Sequence, residues 1–144
     1  MDETVIAIDP GREKCGVAVV HRTRGTIEQE VVKTSEVMHK VSDLVSKYNL
    51  CTVVLGNSTH SNILKEKFCK IQSPQGSARL EVILVDEYRS TDAARVRYWL
   101  ENPPKGLKRL LPVTMLVPPR PIDDYAAVIL AERYFIGEAN AVKS

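Results

Sequence analysis

The order of its apolar runs is what most narrows the folds open to this chain. Thr4 to Asp9, Lys14 to His21 and Thr26 to Lys33 are strand-like runs rich in Val and Ile, with Arg24-Gly25 as a turn between the last two. From Ser35 to Tyr48 the apolar residues Val37, Met38, Val41, Leu44, Val45 and Tyr48 fall at the three-and-four spacing of a helix, and Thr34 or Ser35 is its expected cap. Cys51 to Leu55 is a short, wholly apolar strand, followed by a helix from about Ser61 to Ile71 and a loop from Ser73 to Ala78. Leu80 to Val85 reads as another buried strand, and Ser90 or Thr91 caps a helix reaching about Leu100. Asp123 opens a last helix to about Phe135, beyond which fraying is expected. Three meandering strands followed by helices alternating with short apolar strands imply an α/β domain, a mixed sheet with helices on both faces.

Composition adds limits. The 144 residues, 44% hydrophobic and 26% charged, suit one ordinary domain spanning 1–144. No apolar run approaches the roughly 20 residues that cross a bilayer, and the acidic start Met1-Asp2-Glu3 is unlike a secretory signal, so a cytoplasmic protein is expected. Cys15, Cys51 and Cys69 show no Cys-x-x-Cys spacing and are expected to be buried reduced thiols. His21, His39 and His60 are scattered without ligand spacing and read as surface or partly packed residues. A net charge of +2 does not by itself identify a nucleic-acid partner.

Three acids carry the chemistry. Asp9 ends the first strand, Glu87 follows the last, and Asp123 opens the final helix, positions that can converge at one edge of such a sheet. Each also has a plain structural reading, as a turn residue or a favourable charge at a helix start, and Asp86 and Asp124 stand beside two of them as rivals. Converging carboxylates repel unless a cation lies among them, and their hard oxygens suit Mg²⁺ or Mn²⁺. Phosphodiester hydrolysis by metal-activated water would follow.

Charge distribution points the same way. Pro103 to Arg120 holds five prolines and no acid, and its charges are Lys105, Lys108, Arg109 and Arg120. It ends just before the acidic helix, where cations would meet a phosphate backbone. Leu107, Leu110, Leu111 and Met115 are many apolar residues for a free linker. Arg12 and Lys14 beside Asp9, with Arg89 beside Glu87, extend the basic set. Asn57, in Gly56-Asn57-Ser58-Thr59 ahead of a helix, is a further candidate phosphate contact or an ordinary cap residue. Tyr98 and Trp99 are assigned to packing.

Three motifs resemble a known family. Ile8-Asp9-Pro10-Gly11-Arg12-Glu13-Lys14-Cys15-Gly16-Val17-Ala18 is similar to the opening motif of the YqgF family, Holliday junction resolvases and pre-16S rRNA nucleases of the RNase H-like superfamily. Val85-Asp86-Glu87-Tyr88-Arg89-Ser90-Thr91 resembles its second signature and Asp123-Asp124-Tyr125-Ala126-Ala127 its third. The resemblance implies a five-stranded RNase H-like sheet and a metal site of Asp9, Glu87 and Asp123. Related RuvC-type resolvases carry a fourth acid one turn later, where this chain has Ala126, so the resemblance implies either Asp124 as a substitute metal ligand or a weakly held second metal. Gly56-Asn57-Ser58 stands where many members have Gly-Leu-Pro.

The expected function is a Mg²⁺- or Mn²⁺-dependent endonuclease on structured nucleic acid, first of all in processing the 5′ end of pre-16S rRNA. The alternatives are a Holliday junction resolvase and a binding module that kept the fold without the chemistry. Ile-Asp-Pro-Gly also resembles the first phosphate loop of actin-like ATPases, but those need two such domains. Paired symmetric cuts would call for a homodimer, which no apolar heptad or self-complementary patch in the sequence supports.

Overall fold

The computed structural model describes residues 3–72 and 79–143, with side chains to 138. Five strands form one sheet: β1 (Thr4–Asp9), β2 (Lys14–His21), β3 (Gly25–Lys33), β4 (Thr52–Gly56) and β5 (Glu81–Val85), in the order β3-β2-β1-β4-β5. The first three are antiparallel neighbours, whereas β1–β4 and β4–β5 are parallel, as the sequence pattern requires. Gly25 turns the β2–β3 hairpin with φ of 82°, a left-handed conformation that glycine adopts without strain.

Alternation along the strands divides the core. Ile6, Ile8, Val17, Val19, Val53 and Leu55 point to one face, where Val37, Val41, Leu44 and Val45 of α1 (Val37–Tyr48) and Leu64 and Phe68 of α2 (Ser61–Cys69) cover them. Val5, Ala7, Ala18, Val20 and Val54 point to the other, beneath Ala127, Leu130, Ala131 and Phe135 of α4 (Asp123–Lys143). Residues i and i+2 sharing a face is the period of two that lets β1 feed both cores. The small α4 residues let its backbone lie close to the sheet. Helix α3 (Ser90–Glu101) packs on α4 through Ala94 and Tyr98 against Tyr125 and Ala126, with Tyr98 and Tyr125 edge to face at 5.6 Å.

Several expectations need correction. β5 is no buried strand: it forms the sheet edge, paired only with β4, and Glu81 and Leu84 are exposed. Neither Thr34 nor Ser35 caps α1. Both lie in a 3₁₀ turn ahead of it, and the Thr34 hydroxyl donates instead to the Gly11 carbonyl at 2.9 Å. α3 begins after Arg89, held at φ of 55°, without a side-chain cap. α4 runs past Phe135 to Lys143, assisted by Glu138, whose carboxylate accepts from the Tyr134 hydroxyl and from Arg22. Of the cysteines Cys15 alone is fully buried, and Cys51 and Cys69 are half-buried. The loop expected at 73–78 lies outside the described residues. No helix among those described is long and apolar enough to cross a membrane.

Candidate active site

Two glycines assemble the site around Asp9. In the β1–β2 ladder Asp9 pairs with Gly16, and in the β1–β4 ladder Ile8 pairs with Leu55, which sets Gly56 on the far side of Asp9. A Cβ on Gly16 would lie 1.8 Å from the Asp123 carbonyl oxygen and 2.8 Å from the Asp124 nitrogen, so the first turn of α4 rests directly on β2. A Cβ on Gly56 would lie 2.4 Å from Glu87 Oε2 and 3.1 Å from Pro10 Cδ. The missing side chains therefore admit Asp123 on one flank of Asp9 and the Glu87 carboxylate on the other. Glycine within a strand marks such close approach.

The electrostatics follow from this crowding. Burial, then the Asp123 charge, then that of Glu87 raise the Asp9 pKa from 3.8 to about 7. Glu87 is raised by burial and by Asp86; Asp123 is raised by burial and by Asp124, with Lys14 pulling it back. Glu87 Oε2 is buried without a hydrogen-bond partner among the described residues. Backbone contacts fix this acid, since its N–H donates to Asn57 Oδ1 at 3.2 Å and its carbonyl accepts from the Ser90 N–H at 2.9 Å. Asn57 is thus a support for Glu87, its side-chain oxygen bridging from the end of β4 to the segment after β5.

Three hard carboxylates, one with an orphaned oxygen and all held against ionisation, fit a divalent cation. Among the described residues no three His, Cys, Asp or Glu side chains already form a cage for an ion.

Asp124 faces another way. Its buried carboxylate accepts from both Arg120 guanidinium nitrogens, at 3.1 and 3.2 Å, and from Gln29 Nε2 at 2.8 Å. Arg120 lies over the rings of Tyr98 and Tyr125, at 5.8 and 5.5 Å from their centroids. This pair clamps α4 to β3 and α3, so its charges are already matched. Of the remaining basic residues, Lys14 stands beside Asp123 and Arg12 beside the β1–β2 turn, while Arg89 lies 5.5 Å from the Tyr88 ring. Lys105, Lys108 and Arg109 lie on an exposed loop of two 3₁₀ turns, Gly106–Leu110 and Val113–Met115. Leu107, Leu110, Leu111 and Met115, expected to be packed, are exposed there, and the nearby Leu116 is buried instead. The sequence reading gave Gly16 and Gly56 no role, although a glycine inside an apolar strand is a visible signal.

Comparison with known proteins gives a family and a fold. A family model described as RuvX: Holliday junction resolvase matches residues 3–136. The structure of Thermus thermophilus RuvC is similar, with a TM-score of 0.57 and 15% identity over 94% of this chain and 96% of that one. The T. thermophilus RuvC in complex with Holliday junction substrate is similar as well, with a TM-score of 0.54 and 19% identity over the same shares, 94% and 96%. At those identities the likeness speaks to fold alone, and it is the five-stranded mixed sheet. No curated protein matches the chain.

Proposed function

We propose that this chain, which belongs to the RuvX family of Holliday junction resolvases, is a divalent-metal-dependent endonuclease that cuts phosphodiester bonds at four-way junctions through Asp9, Glu87 and Asp123. The observation that carries the reading is the Gly16–Asp9–Gly56 row, which brings the other two acids against Asp9, whose pKa is raised to about 7 by burial first and then by those two charges. Such crowding is unfavourable for an isolated protein and is relieved by a cation. Family membership favours the junction over the pre-16S rRNA end that the motifs first suggest, and the rRNA precursor is the competing substrate in the test.

Asp9, Glu87 and Asp123 would hold Mg²⁺ or Mn²⁺. A divalent ion there supplies the charge that lowers the pKa of an attacking water and stabilises the leaving oxygen. The chain does the positioning. Asn57 fixes the backbone at Glu87, Gly16 fixes the height of Asp123 over β2, and Lys14 tempers the negative charge on its side of the site. Arg12, Lys105, Lys108 and Arg109 supply exposed cations for strand phosphates, whose contribution falls with salt.

Labelled four-way junction and a precursor rRNA 5′ fragment, each with Mn²⁺, with EDTA and with Asp9→Asn, test the proposal. Metal-dependent junction cutting that the variant loses is expected. Salt-sensitive binding without cutting of either substrate would leave a binding module in its place.

A further inference from the structure

A second concavity opens on the other side of the β1–β2 turn. Gly11, two residues after Asp9, forms one wall, and the 3₁₀ turn before α1, the start of α1 and one side of α2 as far as Lys67 form the rest, around about 240 Å³. Its floor is apolar, with Met38, Ile63 and Leu64, and its rim is basic, with Arg12, His60 and Lys67; no acid lines it. None of the three basic side chains makes an ion pair or hydrogen bond among the described residues, whereas Lys40 and Lys47 of α1 are paired with Glu28 or Glu30. Ile63 remains 59% exposed. The Thr34 hydroxyl on the Gly11 carbonyl and the Thr34 N–H on the Glu13 carbonyl tie the turn to the start of α1, so the wall is fixed.

We propose that this pocket receives one unpaired nucleotide of the strand being cut, its phosphate against Arg12, His60 and Lys67 and its base against Met38 and Ile63. The inference rests on the nuclease reading above and deepens it. Two unpaired cations, Arg12 and Lys67, with the His60 ring beside them and no acid in the lining, are complementary to an anion, and the exposed apolar side chains next to them suit a ligand with a flat unsolvated face. Phosphate and base together have both properties. The volume lies just under the roughly 300–1,000 Å³ of pockets that enclose drug-sized ligands, so it suits a single nucleotide and excludes a duplex. Extruding a base costs least where pairing is already interrupted, as at a branch point. The shared wall at Gly11 then sets the neighbouring phosphodiester at the Asp9 site.

Binding in EDTA separates this pocket from catalysis. Wild type and Ile63→Glu, which places a charge on an exposed position of the floor, are titrated with a junction carrying 2-aminopurine at the branch and with a linear duplex. Wild type should brighten the 2-aminopurine as the base leaves its stack. Ile63→Glu should lose that signal and about tenfold in junction affinity, the low end of what base contacts contribute, with linear-duplex affinity unchanged. Lys67→Ala should weaken junction binding, and Lys67→Arg should restore it. Unchanged junction binding by Ile63→Glu, or equal loss on both DNAs, would overturn the pocket assignment and leave the nuclease reading standing. Failure of the wild type to bind any junction would instead sink the nuclease reading and this inference with it. Adenosine monophosphate is the second arm: displacement of junction at micromolar concentration would make the pocket a free-nucleotide site and not a strand contact.

Discussion

Gly16 faces Asp9 across the β1–β2 ladder and touches the backbone of Asp123, so a single hydrogen in place of a side chain sets the distance between two acids from opposite ends of the fold. The atoms in the way of any Cβ are main-chain atoms of a helix start, which cannot rotate aside. Gly16→Ala should therefore lift α4 from β2, with a loss of about 1–3 kcal/mol, the usual cost of overpacking. Urea unfolding would report it, and cleavage should fall with it.

Gly56→Ala should behave differently. Its nearest obstacle is Glu87 Oε2, the far end of a flexible side chain, followed by Leu130 Cδ1 and Pro10 Cδ at 3.1 Å. Stability should change by less than about 1 kcal/mol, because the carboxylate can swing away. Activity should drop by up to about a hundredfold, as misplacing a positioned group by an ångström commonly does. A variant that unfolds like Gly16→Ala, or that cuts like wild type, would contradict the flanking role of Gly56.

Metal-free stability should depend on pH through Asp9. Burial and two neighbouring carboxylates raise its pKa from 3.8 to about 7. Between those values the folded chain keeps a proton that the unfolded chain has released, so stability falls as pH rises through the window and is fully present only below it. Asp9→Asn removes this term. In EDTA at pH 8 the variant should be more stable than wild type by on the order of a few kcal/mol, with the gap closing toward pH 4. Calorimetry across that range would show it; equal melting temperatures at pH 8 would mean that Asp9 is not held in the buried, acid-flanked setting described.

Asp124 and Asp123 are adjacent but should separate in mutagenesis. Asp124→Asn weakens the clamp to Arg120 and Gln29 and should cost about 1–3 kcal/mol, with cleavage reduced less than Asp123→Asn reduces it. Asp123→Asn should cost cleavage at least about a hundredfold and little stability. Equal losses of cleavage at saturating Mn²⁺ would return Asp124 to the metal-ligand set.

The sequence made local periods and ends legible, and left long-range fit hidden. The bounds of β1 and β2 follow from unbroken apolar runs closed by Asp9-Pro10-Gly11 and by the turn at Arg22 to Arg24. The acids were found because each stands where an element ends or begins. By contrast, the exposure of Leu84 depends on which strand lies at the edge, and the fate of Asp124 depends on Gln29 reaching it from β3. Thr34 has the type of a capping residue, yet the Gly11 carbonyl of another turn takes its hydroxyl. The exposed leucines of the proline-rich loop break the rule that apolar residues are packed, so counting them misled.

Asp123 sits at the N-terminus of α4, while Asp9 lies in β1, the earliest strand. The acids become neighbours only after α4 has closed over Ala7, Ala18 and Val54 and completed that half of the core. Assembly of the three acids is thus bound to a highly non-local packing contact, the slow kind to form. A nascent chain on the ribosome, or a molecule whose final helix has transiently opened, would lack the complete set of acids. On the nuclease reading, the site exists only in the folded chain.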